Sequence, residues 1–242
     1  EKVKNIAILG AGTAGTTMAS KLAKVLSPKE WQVTVIDRDN VHVYQPGLLF
    51  VPFGVYREED LYRPRDVLLP SGAELRLDKV ERVEADNNRI VFEGGDVIDY
   101  DILIVSTGTR IVPSDTEGLA GAGWHESAFD FYTPEGAVGL AKKLEAFDGG
   151  RLVVNIVDMP IKCPVAPLEF AFLADWYFTE RGIRDKVELV YATPLDGAFT
   201  KPKASAMLGH LLEERGVKVE AEFALSKVDG EKRVMESYDG RQ

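Results

Sequence analysis

VKNIAILGAGTAGTTMASKLAKVL, residues 3–26, decides the fold of this 242-residue chain. VKNIAIL is a short apolar run of buried-strand length, and TTMASKLAKVL carries its apolar residues at helical spacing. Between them GAGTAG sets Gly10, Gly12 and Gly15 in GxGxxG register, with Ala14 inside the turn. Gly10 permits the tight turn, Gly12 lets backbone approach a pyrophosphate, and Gly15 allows the helix to pack closely on the strand. The helix N-terminus then directs amides and its positive dipole end at the phosphates. WQVTVID, residues 31–37, is the next strand, and Asp37 ends it where a carboxylate accepts hydrogen bonds from ribose hydroxyls. An acid there favours an unphosphorylated 2′-hydroxyl, as in FAD or NAD. A lone GxGxxG reads equally as a flexible turn, but strand, glycines, helix, strand and acid together specify a dinucleotide site.

The composition is that of a soluble globular protein, 45% hydrophobic and 28% charged. With 39 acidic against 29 basic residues the net charge is -10, which opposes nonspecific attraction to nucleic acid and anionic lipid. No apolar run approaches the ~20 residues of a membrane span, and no signal-like core opens the sequence, so no targeting or inserting segment is expected within it. One cysteine excludes an intrachain disulfide within these residues and leaves no zinc cluster.

Outward from the first strand–helix–strand unit, VHVYQPGLLFVPFGVY is too rich in breakers for a regular element. Residues 75–105 alternate like a meander, with NN and GG at the turns. STG at 106–108 closes the strand DILIV, either as a second close backbone approach to the ligand or as a plain strand-end turn. TRIVPSDTEGLAGAG has the composition of a linker. TPEGAVGLAKKLEAF is a helix with Thr133 as N-cap and Pro134 at its first position. At Arg151 the pattern starts again: strand RLVVNIV, helix APLEFAFLADWYFTERG, strand KVELVYA, helix KASAMLGHLLEERG, strand VKVEAEFAL. The expected class is α/β, with tandem Rossmann-like FAD/NAD(P)-binding folds, parallel sheets and a β-meander, divided at 1–112 and 113–242.

The second unit lacks the first unit's cradle. Its turn reads DMPIKCPVAP, residues 158–167, where Pro160, Pro164 and Pro167 have no amide NH to offer a phosphate. The following strand ends YATP, without a ribose-binding carboxylate. The scaffold is kept and NAD(P)H is not its expected ligand. Cys163 stands near the start of the helix, where Lys162 and the helix dipole favour a thiolate, making it a candidate nucleophile or sulfur carrier. The plainer reading is a free cysteine behaving as a small buried hydrophobe.

GAGTAG, VTVID, the YQPG stretch, DILIVSTGT, PIKCPVAP with its helix, and IRDKVELVYATP resemble the sulfide:quinone oxidoreductases, flavoproteins of the disulfide reductase superfamily, over the whole chain. A more distant likeness is to flavocytochrome c sulfide dehydrogenase. GAGTAG is generic, whereas PxKCxxAP after a strand is much more specific. The resemblance implies bound FAD, sulfide as electron donor, a membrane quinone as acceptor, and polysulfide or sulfur as product. By position, Gly10, Gly12, Ala14, Gly15 and Asp37 hold the ADP part of FAD, with Arg38, Pro46, Val80, Thr107 and Gly108 nearby. Cys163 is the implied catalytic residue, beside the isoalloxazine ring.

Two departures qualify the likeness. Many family members carry another cysteine in the region of GWHESAFDFYT, where this chain has none. The family's remaining essential cysteine falls beyond residue 242, as do the segment closing the FAD site, most quinone contacts and the amphipathic membrane anchor. The chain is therefore expected to be the N-terminal part of a longer, peripheral membrane protein, soluble and without turnover as it stands. Oligomeric state is left open, a homo-oligomer included. Two rival readings remain: an NADH:quinone or related disulfide reductase, and a noncatalytic dinucleotide-binding module in which Cys163 is inert packing.

Other residues carry weaker signals. His42, His125 and His210 are of a residue type suited to proton transfer but have no metal-ligand spacing. Phe170, Phe172, Trp176, Tyr177 and Phe178 are more simply core packing on one helix than a quinone pocket. Lys201 and Lys203 fit a solvated loop.

Overall fold

Lys4–Leu9 forms β1, and the burial of Ile6, Ala7, Ile8 and Leu9 on both faces is what a central parallel strand requires. The computed structural model describes residues 2–242. They form two compact units: one runs to Tyr44 and resumes over Glu59–Arg110, the other comprises Gln45–Glu58 and Ile111–Gln242. The expected α/β class, with two parallel sheets and an antiparallel meander, is what the chain adopts.

In the first unit β1 leads through α1 (Thr13–Val25) to β2 (Trp31–Asp37), and a short pair, β3 (Val41–Val43) and β4 (Tyr62–Pro64), follows. β5 (Ala73–Leu77) pairs with β2; β6 (Val80–Glu84), β7 (Arg89–Phe92) and β8 (Val97–Asp99) form an antiparallel sheet; β9 (Ile102–Val105) pairs with β1. The parallel sheet thus has the order β5-β2-β1-β9. Alternate residues serve its two faces. Ile6, Ile8, Val33 and Val35 pack with Ala19 of α1, while Ala7, Leu9 and Ile36 pack against Ile90 and Phe92 of β7.

The meander is shorter than expected. Leu75–Leu77 belongs to β5 and Ile102–Val105 to β9, both in the parallel sheet, so only β6 to β8 pair as a meander. The reason is two-sided burial: Ile104 packs with the α1-side cluster and Leu103 with the cluster on the other face, as suits a strand inside a layered fold.

In the second unit α2 (Pro134–Glu145) is capped as expected, the Thr133 hydroxyl accepting from the Gly136 amide at 3.0 Å. β10 (Gly150–Asn155), α3 (Ala166–Glu180), β11 (Val187–Ala192), α4 (Pro202–Glu214) and β12 (Val217–Glu220) build a parallel sheet of order β10-β11-β12. The strand read in VKVEAEFAL stops at Glu220, because Glu222 takes a left-handed φ of 55°, and the chain turns into the hairpin of β13 (Leu225–Asp229) and β14 (Val234–Ser237). Residues 117–123, within the expected linker, are held against that hairpin: Val228 N–H donates to the Glu117 carbonyl at 2.8 Å.

Residues 45–58 form two 3₁₀ turns, Gln45–Leu49 and Val51–Phe53, and feed this unit's core. Leu49 and Phe53 are buried with Leu168, Phe170 and Phe178 of α3, the Phe53 ring lying 4.8 Å from that of Phe170. The aromatic density of α3 is therefore packing for Phe170, Phe172, Tyr177 and Phe178, with Trp176 exposed.

Asp175, on α3, is a buried carboxylate that joins three segments. Arg184 Nε donates to it at 2.7 Å and Arg215 Nη1 at 3.2 Å, while Arg184 also donates to the carbonyls of Val187 and Arg215, each at 2.8 Å. Asp175→Ala leaves the Arg184 guanidinium half-buried without its counter-charge, a loss of about 3–5 kcal/mol for buried pairs. Urea unfolding is expected to show a lowered midpoint for Asp175→Ala, larger than that for Arg215→Ala, whose side chain is 61% exposed.

Candidate functional site

Two turns at the C-terminal ends of parallel strands carry the candidate chemistry, one in each unit. In the first, Gly10 has φ +96°, and a Cβ there would overlap the Ser106 carbonyl oxygen. A Cβ on Gly15 would overlap the carbonyl oxygen of Gly10, so α1 lies against the turn at a distance only glycine permits. Gly12 is different: a Cβ there meets nothing within 4 Å. Two glycines are demanded by the protein itself, and the third keeps open the space in front of the turn.

Gly12 is also the N-cap of α1, with no side-chain cap and no acid in the first turn. The first amides of α1 thus have no side-chain acceptor, which is the arrangement that receives an anion. Ala14 is exposed in that first turn. Thr107 and Gly108 are exposed just beyond β9, beside Ser106, whose hydroxyl donates to the Leu9 and Gly10 carbonyls at 2.8 and 2.9 Å. Because β2 and β9 flank β1 on opposite sides, the turn stands where strand order reverses, the usual ligand crevice of such sheets.

Asp37 is 16% exposed at the end of β2. One carboxylate oxygen accepts from the Ala11 amide at 2.8 Å and the other from the Arg38 amide at 2.8 Å. The structure thus gathers Gly10, Gly12, Ala14, Gly15, Asp37, Thr107 and Gly108 around one turn. The Arg38 side chain is 76% exposed beside Asp39, Val80 packs with the apolar cluster under β7, and Pro46 is exposed in the second unit's first 3₁₀ turn.

Arg65 was not foreseen. Its guanidinium, 11% exposed, donates to the Ala11 carbonyl at 2.7 Å and the Asp39 carbonyl at 2.9 Å, and lies 3.3 Å from both the Asp37 and Asp39 carboxylates. A His42 ring nitrogen also stands 3.3 Å from the Ala11 carbonyl. In sequence, Arg65 is one basic residue in the loop stretch LYRPRD, with no spacing that ties it to a glycine turn 54 residues away. Burial tends to raise the Asp39 carboxyl, but the Val41 amide and Arg65 together hold it below the ordinary carboxylate range.

In the second unit the chain passes from β10 to α3 through Pro160, Cys163 and Pro164, and Pro167 occupies the second position of α3. Cys163 is exposed and left-handed, with φ +54°. Its carbonyl accepts from the Ala166 amide at 3.0 Å and from the Tyr132 hydroxyl at 3.4 Å. Burial and the neighbouring Cys163 charge push the Tyr132 hydroxyl up to about 12, so it remains a protonated donor at neutral pH. Lys162 donates to Gln45 Oε1 at 2.5 Å and sits 5.5 Å from the centre of the Tyr132 ring. Burial lowers the Lys162 amine, opposed by the charges of Cys163 and Asp130. The end of β11 carries Ala192 and a buried Thr193, whose hydroxyl accepts from the Leu195 amide at 3.2 Å. His210 is exposed beside Glu214, and His125 is stacked on Trp124, 3.5 Å from Asp130.

The family model described as pyridine nucleotide-disulphide oxidoreductase matches residues 4–154. The chain is 28% identical to the mitochondrial sulfide:quinone oxidoreductase of Dictyostelium discoideum over 100% of its own length and 54% of that protein's. It is 32% identical to a type II NADH:quinone oxidoreductase of Staphylococcus aureus, over 49% of this chain and 29% of that protein. The solved sulfide:quinone oxidoreductase of Aquifex aeolicus superposes with a TM-score of 0.83 at 23% identity, over 99% of this chain and 56% of that one, a likeness of fold. The chain spans about half the length of the curated relatives it matches.

Substitution separates the two kinds of glycine. Gly12→Ala is expected to leave the thermal midpoint within a few degrees, since its Cβ has room, but to weaken dinucleotide binding. Gly15→Ala is expected to lower both, because backbone must move; parallel melts and ligand titrations check this. Asp39, with its folded pKa depressed, contributes stability that is present above the ordinary value of 3.8 and lost as pH falls through the lower folded value. Asp39→Asn is therefore expected to shrink the stability difference between about pH 6 and pH 3, read from urea midpoints across that range.

Proposed function

Since the chain belongs to the pyridine nucleotide-disulphide oxidoreductase family, whose members are FAD-binding flavoproteins, we propose that the protein oxidises sulfide and passes the electrons to a quinone. The observation that carries this reading is the contrast between the two turns. The first unit presents open space before an uncapped helix end, and the second presents an exposed cysteine on a turn bearing two prolines, with a third in the first turn of α3.

The first unit's residues suit the adenosine diphosphate half of FAD. Gly12 admits the diphosphate, Ala14 and Gly15 contribute first-turn amides, and Asp37 retains lone pairs for ribose hydroxyls. Gly10, Thr107 and Gly108 frame the turn; Arg38, Pro46 and Val80 complete the set by resemblance. When bound, the flavin supplies a two-electron relay between a sulfur donor and a quinone.

Cys163 is the residue that engages sulfur in this reading. Its left-handed backbone, held through the carbonyl by Tyr132 and the Ala166 amide, fixes the thiol on an exposed turn. Hydrosulfide gives up two electrons and a proton, its sulfur is retained at the zero-valent level as polysulfide or sulfur, and the quinone takes up two electrons and two protons. Lys162 stands next to Cys163 in the chain, its side chain held by Gln45 Oε1. A quinone acceptor places the working protein at a membrane surface; among the described residues no helix is long and apolar enough to cross one.

An NADH-dependent flavin oxidoreductase is the second reading, favoured by the likeness to the staphylococcal enzyme. Against it, Pro160, Pro164 and Pro167 remove amides from the second turn, and β11 ends in Ala192 and a Thr193 already engaged. The test is anaerobic mixing of the flavin-loaded protein with sulfide or with NADH. Sulfide is expected to bleach the flavin, NADH to leave it oxidised, and Cys163→Ser to slow the sulfide reaction by about 100-fold or more. Rapid bleaching by NADH, or sulfide bleaching untouched in Cys163→Ser, overturns the assignment.

A further inference from the structure

Arg65 is held at both ends and from several sides. Its backbone amide donates to Asn40 Oδ1 at 2.8 Å, and its guanidinium reaches the Ala11 carbonyl, the Asp39 carbonyl and the carboxylates of Asp37 and Asp39. A planar fork with five donors suits this geometry, in which one side chain must satisfy acceptors on different segments. A guanidinium this enclosed, aimed at the residue between Gly10 and Gly12, is more than a surface ion pair.

We propose that Arg65 is a positioning residue of the dinucleotide cradle, and that Asp37 and Asp39, by holding its charge, guard the cradle against 2′-phosphorylated ligands. This rests on reading the glycine turn as the adenosine diphosphate site. The Ala11 carbonyl belongs to a turn that meets phosphate through amides, and Arg65 takes up that oxygen, fixing the orientation of the peptide. It also braces Asp37, whose two oxygens are already aligned by the Ala11 and Arg38 amides. A cation near the ribose is ordinarily the feature that admits a 2′-phosphate. Here the charge is met by two carboxylates, so the site takes adenosine diphosphates with a free 2′-hydroxyl. Arg38, the cation next to Asp37 in the chain, is 76% exposed and faces Asp39.

The inference is tested by binding alone. FAD titrations would be run on the wild-type protein, Arg65→Met, Arg65→Lys and Gly12→Ala, with far-ultraviolet circular dichroism and melts to confirm folding. Arg65→Met is expected to weaken FAD roughly 10–100-fold, and Arg65→Lys to restore only part of it, since an ammonium lacks the fork. ADP-ribose and its 2′-phosphorylated form, competed against FAD, provide a readout that mere structural support would not move. Asp37→Asn, which releases one arm of Arg65, is expected to shift the affinity ratio toward the 2′-phosphorylated form by about 10-fold, a gain absent from Asp37→Asn/Arg65→Met.

Asp39→Asn releases the other carboxylate and is expected to shift the ratio the same way, which keeps the test decisive if Arg65→Met does not fold. Wild-type FAD affinity in folded Arg65→Met, an unchanged ratio in both aspartate variants, or a gain that survives in the double variant each overturns the role of Arg65. If Gly12→Ala weakens FAD while Arg65→Met does not, the cradle stands and this inference alone falls. A wild-type protein that binds neither FAD nor ADP-ribose removes both.

Discussion

The first unit depends on how closely one helix lies against the turn that precedes it. No methyl group fits between Gly15 and the Gly10 carbonyl, so α1 and the turn after β1 are locked in a single relation. That lock sets the direction of the helix axis and hence where its unpaired first amides point. It also brings the turn under Ser106, whose hydroxyl ties the end of β9 to the end of β1. Helix placement and the direction in which the open space before Gly12 faces follow from the same close contact.

The second unit repeats the scaffold under a different local rule. Between β10 and α3 the chain carries prolines and side chains where the first unit carries glycines, and it presents a sulfur atom instead of backbone amides. Cys163 takes a left-handed conformation that costs a residue with a side chain about 1 kcal/mol or more, and the surrounding hydrogen bonds offset that cost. Each unit thus uses a strained or unpaired backbone feature at the same structural position, with different chemistry.

The sequence made the strand–glycine–helix unit legible because periodicity, glycine spacing and a strand-end acid all pointed one way. The Thr133 cap was legible for the same reason: a hydroxyl, a proline and an apolar stripe are local signals. The ends of the meander were not, because whether Leu75–Leu77 or Ile102–Val105 joins the parallel sheet depends on which clusters cover its faces. Nor was the role of residues 45–58, whose 3₁₀ turns have no period to detect although Phe53 reaches the second core. Arg65 lay furthest from view, since its partners at Ala11, Asp37 and Asp39 are assembled only by the fold.

The Asp175 network occupies the opposite pole of its unit from the cysteine turn. It clamps the C-terminal end of α3, the residues entering β11 and those leaving α4, whereas the sulfur stands before α3 begins. Anchorage and the proposed sulfur chemistry are therefore divided between the two ends of the same strands. Such a division lets a lineage rewrite the reactive rim, exchanging one class of reagent for another, without reopening the question of how the domain folds.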